Sequence, residues 1–224
     1  MSMLIDIKYA FRLLFKAPKF TAMTLGVLVG GLSISLFTFS FLYSVVYKAL
    51  PLPEGDSARA IAIYSNDDYG NITGFEYQQL QNKLPHFDEF GIYDNQNIRL
   101  SIEQSGKNYN ASLVRQGFFE FSRTTAIIGR TIQAQDTAAG ASPVALISYE
   151  VWQQELQGDD KVLDKTMILN GEITSIIGVM PQGYHFPNSS KVWLPLMDQL
   201  LTTTPDISGS YNAYARLKKG FLVE

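Results

Sequence analysis

The run Phe20-Thr-Ala-Met-Thr-Leu-Gly-Val-Leu-Val-Gly-Gly-Leu-Ser-Ile-Ser-Leu-Phe-Thr-Phe-Ser-Phe-Leu-Tyr-Ser-Val-Val-Tyr47 carries no charged residue. A helix needs about 20 predominantly apolar residues to cross the hydrocarbon core of a bilayer, and this run is long enough to cross with some tilt. Its polar members are Ser, Thr and Tyr, and Ser and Thr hydroxyls can bond back to helix carbonyls. A cleaved secretory signal has a shorter apolar region and a small-residue cleavage site, and Tyr47-Lys-Ala-Leu-Pro51 offers no Ala-x-Ala pattern. A buried soluble helix would not need so long an uncharged run. The stretch reads as a spanning anchor.

The residues in front of it set the orientation. Lys8, Arg12, Lys16 and Lys19 precede the span against a single acid, Asp6. A positive flank stays in the cytoplasm, so Met1 is expected inside and the chain after Leu50 outside. Leu4, Ile7, Phe11 and Leu14 share one helical face, while Lys8, Arg12 and Lys16 form a stripe at four-residue steps. That pattern predicts an amphipathic helix lying on the membrane surface, ended at Ala17-Pro18. The plainer reading is a set of flanking charges that only orient the anchor. Gly26 and Gly30 form a Gly-x-x-x-Gly pair, a spacing that lets two membrane helices approach closely.

Charge divides the chain at the same place. With +3 in residues 1–47 and −3 overall, residues 48–224 carry −6. So acidic a segment makes a poor nucleic-acid binder, which needs clustered Lys and Arg. Cysteine is absent, which excludes disulfides and thiolate chemistry.

The exported part reads as an α+β domain. Pro51-Leu-Pro-Glu-Gly-Asp56 breaks any helix. Ala58 to Tyr64 is expected as a buried strand, and Thr73-Gly-Phe-Glu76 as a capping box opening a helix that Pro85 stops. Phe87 to Tyr93 completes a β-α-β unit. Ile98, Leu100 and Ile102 alternate, turn at Gln104-Ser-Gly106, and face Tyr109, Ala111 and Leu113. A second hairpin places Thr166–Leu169 and Glu172–Val179 around Asn170-Gly171, a pair suited to the positive φ of a two-residue turn. Between them lie a strand, Val144–Ile147, and a helix from Tyr149 to about Gln157, capped by Ser148 and stopped by Gly158. Ser210 to Leu217 is the last strand. The expected organisation is a cytoplasmic interfacial helix over 1–19, a span over 20–47, a linker over 48–57 and a core over 58–224.

No catalytic, cofactor or metal constellation emerges. His86 and His185 lack a ligand frame, and neither a Gly-x-Ser-x-Gly elbow nor a P-loop is present. Asp67-Asp68 and Asp159-Asp160 sit among turn residues, where solvated acids are the ordinary reading. Asn71-Ile-Thr73 matches a glycosylation sequon, although Thr73 is already used as a helix cap.

The succession of short motifs carries more. Asp6-Ile-Lys-Tyr-Ala-Phe-Arg-Leu-Leu-Phe-Lys-Ala-Pro-Lys-Phe-Thr-Ala22 resembles the start of MacB-like and FtsX-like permeases of bacterial ABC transporters, in the branch of duplicated permeases without a fused ATPase. Gly117-Phe-Phe119, Gly129-Arg130, Pro143 to Trp152, Leu169-Asn-Gly171 and Ile177 to Pro181 follow in the order of that family's periplasmic core. Gly183 to Pro187, Val192 to Pro195 and Ala215 to Gly220 continue it. The resemblance implies a non-catalytic permease component of a bacterial inner membrane that passes ATPase-driven motion to a periplasmic core for efflux or export. It implies as partners an ABC ATPase at the cytoplasmic face, further permease helices or a second permease copy, and a periplasmic adaptor. It also implies a core continuing past Gly220 into more sheet, helix and three membrane helices. On that frame the chain is a fragment or truncated product, and Ser210–Leu217 begins an unfinished second half with an open sheet edge. A single-span binding or sensing module is the alternative, and the amphipathic segment at the amino terminus is the feature that separates the two. An envelope hydrolase is a third reading, for which no nucleophile-base-orienter pattern is present.

Overall fold

Pro18 occupies the first turn of a 25-residue helix, α1 (Pro18–Leu42), where its missing N–H costs nothing. Ala17 precedes it with φ −127° and ψ 66°, outside helical geometry. At 1.5 Å per residue the helix is roughly 37 Å long, enough for a hydrocarbon core of about 30 Å. None of its residues is buried, and its Phe, Leu, Val and Ile side chains are exposed all round. Thr21 and Thr24 donate their hydroxyls to the carbonyls of Ala17 and Phe20 at 3.1 and 3.0 Å, so these two polar groups are satisfied within the helix.

The computed structural model describes residues 12, 16–43, 52–61, 63–65, 68–84, 86–102, 105–201 and 209–218. The expected surface helix lies almost wholly outside them, with Arg12 and Lys16 described, and both are helical. The end of the expected span near Tyr47 is likewise outside. The chain divides into two compact units, Met1–Lys48 and Ala49–Glu224.

The second unit begins with β1 (Ala58–Ile61), β2 (Ile63–Ser65), β3 (Asp68–Gly70) and β4 (Ile72–Thr73). Helix α2 (Gly74–Lys83) follows, opened by the expected capping box: Thr73 Oγ1 accepts from Glu76 N at 3.2 Å, and Thr73 N donates to Glu76 Oε2 at 2.8 Å. Next come β5 (Phe87–Ile102) and β6 (Ser105–Val114). They are paired continuously from Tyr93↔Val114 to Ile102↔Ser105. Two expectations change here. Phe87–Tyr93 and Ile98–Ile102, read as separate strands, are one strand of 16 residues. The polar tetrad Asp94–Asn97 does not interrupt it, because each of the four residues is paired with β6. Ser105 and Gly106, read as turn residues, pair as strand.

The remaining elements are α3 (Phe118–Ser122), β7 (Ile128–Gly129), α4 (Ala134–Thr137), β8 (Val144–Ile147) and α5 (Tyr149–Glu155). Then follow β9 (Thr166–Leu169), β10 (Glu172–Val179), β11 (Val192–Pro195) and β12 (Ser210–Leu217). Ser148 Oγ accepts from Val151 N to cap α5. Asn170 and Gly171 turn the second hairpin with φ 49° and 90°, placing Leu169 opposite Glu172.

The last strand overturns a further expectation. β12 is not at an open edge. It lies between β1 and β5, antiparallel to both, with Ala58 opposite Arg216 and Phe90 opposite Ala215. β1, α2 and β5 therefore form a β-α-β unit whose two parallel strands are split by the returning end of the chain. Tyr211, Ala213, Ala215 and Leu217 are buried, which a strand with neighbours on both sides permits.

Beyond the end of β12, β9 takes its place beside β5, with Leu169 opposite Leu100. This closes a ring of strands in the order β5-β6-β11-β8-β10-β9 and back to β5. Closure leaves no sheet edge within the ring. Ile98, Leu100, Ala111, Ile147, Met167, Leu169, Ile176 and Val192 form one apolar cluster. The opposite face of the same strands packs Tyr93, Val114, Leu146 and Trp193 against Phe118, Phe121 and Phe186. Trp193 is fully buried, and its Nε1 donates to Phe186 O at 2.9 Å.

Candidate functional site

The acid and imidazole groups read from the sequence are scattered. His86 is exposed on the turn before β5, and its carbonyl accepts from Lys218 N. His185 Nε2 is 3.6 Å from Glu150 Oε1, and Lys191 Nζ stands 3.3 Å from the same ring. Asp159 accepts from Lys161 N at 2.8 Å and pairs with Lys165 at 2.6 Å, while Asp160 is exposed. The Lys165 ammonium holds the Asp159 carboxyl below its ordinary range. Asp67 lies outside the described residues, and Asp68 opens β3 opposite Ser65. Among the described residues no three His, Asp or Glu side chains are grouped to hold a metal ion.

The side chains that do converge sit where the chain enters the core. Arg216, on β12, is 1% exposed. Its Nη1 donates to Glu54 O at 2.6 Å and to Ser57 Oγ at 2.7 Å, both in the entry segment. Its Nη2 donates to Phe121 O at 2.6 Å at the end of α3, and its guanidinium lies 5.2 Å over the Phe121 ring. Its Nε is 2.9 Å from Glu89 Oε2 on β5, close enough for an ion pair although the N–H points off the hydrogen-bond line. Arg123, at the end of α3, completes the set: it pairs with the Glu54 carboxylate and reaches Glu89 Oε1 at 3.3 Å. Glu54 and Arg123 both adopt positive φ, 52° and 50°. One buried guanidinium thus ties four separate pieces of chain together: the entry segment, β5, α3 and β12.

Such an arrangement has no reacting atom. Its chemistry is directional hydrogen bonding with charge, which fixes the entry segment in place. Removing one partner of a buried pair costs about 3–5 kcal/mol, because the other is left uncompensated. Sequence reasoning placed Arg216 within a family-like motif but gave it no role. The available signal was a lone arginine inside an apolar strand.

A further ion pair ties α4 to the residue that follows β7. Arg130 donates to both oxygens of Asp136 at 2.5 and 2.8 Å, and Gln133 N donates to the same carboxylate at 2.8 Å. The Arg130 guanidinium holds the Asp136 carboxyl below its ordinary range. Arg130 can reach because β7 runs tight against β10, with Gly129 opposite Gly178. A Cβ at Gly178 would stand 2.5 Å from Arg130 O, and Gly129 has φ +74°, so neither position admits a side chain without strain.

Known proteins place this architecture. A family model described as the MacB-like periplasmic core domain matches residues 21–224. The extracellular domain of the noncanonic ABC-type transporter YknZ from Gram-positive bacteria is similar with a TM-score of 0.56 at 15% identity, over 73% of this chain and 84% of that one. The periplasmic region of MacB from Actinobacillus actinomycetemcomitans gives 0.56 at 14% identity, over 74% and 76%. No curated protein matches. At such identities the solved structures establish the fold, and the family match over residues 21–224 establishes kinship. With its apolar helix α1 and its split β-α-β unit joined to a strand ring, this chain belongs to the MacB-like periplasmic core domain family of ABC-type permeases, as a membrane-anchored extracytoplasmic domain.

Proposed function

We propose that this chain is the amino-terminal working part of an ABC transporter permease, transmitting ATPase-driven motion across a bacterial inner membrane for export. The observation that carries the reading is the Arg216 clamp. A domain that receives motion through its entry segment needs that segment held stiffly to the core, and Arg216 and Arg123 hold it to three elements at once. On this reading residues 1–19 lie at the cytoplasmic face near a separate ATPase subunit, 20–47 span, 48–57 link and 58–224 form the non-catalytic core. Further permease helices or a second permease copy would complete the transmembrane part, with a periplasmic adaptor beyond it.

The absence of cysteine makes orientation directly testable. Single cysteines at Ser2 and Lys107 in the full chain, treated with a membrane-impermeant maleimide on intact spheroplasts, should react at Lys107→Cys only. Labelling of Ser2→Cys instead would reverse the topology and remove the ATPase-facing role. Coupling is tested on permease purified from native membranes with its associated ATPase. Arg216→Ala should leave ATP hydrolysis in place and abolish its dependence on the permease. Unchanged stimulation would set the clamp aside as a structural tie.

A further inference from the structure

The strand ring is stoppered at one end and open at the other. Helix α5 follows β8 at Ile147 and adds Val151 to the apolar cluster of the ring. At the other end β8 begins at Val144, β11 finishes at Pro195, and the β9–β10 turn stands beside them. There a cleft of about 310 Å³ opens between the strand ends. Leu113, Leu169 and Leu194 line it, with Met197. Its charged side chains are Asp136 and Glu172, both acidic.

The two acids are not equivalent. Asp136 is already neutralised by the two N–H bonds from Arg130 behind it. Glu172 is exposed at the mouth and has no side-chain ion pair among the described residues. An anion entering the cleft would meet this uncompensated carboxylate. A neutral apolar molecule would strip water from it without replacing the lost interactions, which is costly for a charge.

We propose that this cleft binds a small organic cation with an apolar body, its charged head at Glu172 and its body against Leu113, Leu169 and Leu194. The volume sits at the lower edge of the range of about 300–1,000 Å³ for small-molecule sites, so the occupant is compact. The buried Thr174 hydroxyl donates to Glu172 O at 3.3 Å and steadies the backbone beneath that carboxylate.

The test uses the full chain in nanodiscs with labelled methyl groups, titrated with phenyltrimethylammonium. The neutral isostere tert-butylbenzene and the anion benzenesulfonate serve as comparisons. The cation should shift the methyl signals of Leu113, Leu169, Leu194 and Met197 saturably, and the anion should not. Glu172→Gln should weaken binding roughly tenfold, equivalent to about 1.4 kcal/mol. Ser142→Trp, which places an indole in the cleft from an exposed rim position, should abolish it. Equal binding of benzenesulfonate or tert-butylbenzene would overturn the charge assignment. Cation shifts that survive both substitutions, or no saturable shift up to millimolar concentration, would overturn the site.

Discussion

The strand ring and the entry clamp hold the same domain by opposite means. The ring encloses aliphatic side chains with few polar atoms, and its stability comes from area withheld from water. The clamp gathers two arginines, two glutamates, a serine hydroxyl and two carbonyls around a mostly aromatic cluster. Apolar packing has no preferred direction, whereas hydrogen bonds and ion pairs do. The difference teaches where rigidity is general and where it is aimed: the ring resists any deformation, and the clamp resists displacement of one segment.

Substitutions separate the two. The largest loss is expected from Trp193→Ala, which empties the face between ring and clamp and should cost about 3–5 kcal/mol in denaturant unfolding. Arg216→Ala should approach it at about 3–5 kcal/mol, for a different reason: the Glu54 and Phe121 carbonyls lose their donor, and Glu89 keeps only Arg123. Arg216→Met keeps much of the volume and separates the two causes. If it restores most of the stability lost in Arg216→Ala, packing rather than hydrogen bonding holds the entry segment, and the contrast collapses. Ile147→Ala inside the ring should cost about 2–5 kcal/mol, with a loss indifferent to pH.

Asp136→Asn sharpens the comparison through pH. The folded carboxyl lies below its ordinary range because Arg130 favours the charged form. Such a group stabilises the fold above the unfolded pKa of about 3.9, and the contribution fades as pH falls through the folded value. The variant should therefore be less stable than the parent at pH 7 by about 1–3 kcal/mol, with the gap narrowing below about pH 4. A gap that stays constant to pH 2 would refute the ion-pair account. The smallest effect is expected at Asn170→Ala, which puts a less tolerant residue at φ 49° and should cost about 1–2 kcal/mol without altering the register.

Local chemistry was legible in the sequence, and long-range pairing was not. The Thr73–Glu76 box and the Asn170-Gly171 turn each depend on residues within four positions of one another, so spacing alone reveals them. The insertion of β12 between β1 and β5, and the closure of β9 onto β5, join residues far apart in the chain. Periodicity says which face of a strand is buried but not which strand lies beside it. β5 divides in the sequence for the same reason: Asp94 to Asn97 are all polar and break the apolar alternation, and only β6 alongside joins the two pieces. Arg216 escaped because arginine in a strand usually means a solvent-facing position, and only the tertiary structure shows it 1% exposed.

The undivided β5 has a mechanical consequence. Its first half is flanked by β12 and touches Glu89's partners in the clamp, and its second half is a stave of the ring. At about 3.3 Å per residue it reaches roughly 50 Å end to end. No proline interrupts it, and Gly91 is pinned under Phe118 and Phe121. From Glu89 to Leu100 the clamp and the ring therefore share one unbroken run of paired backbone, so the two opposite ways of holding the domain meet in a single strand.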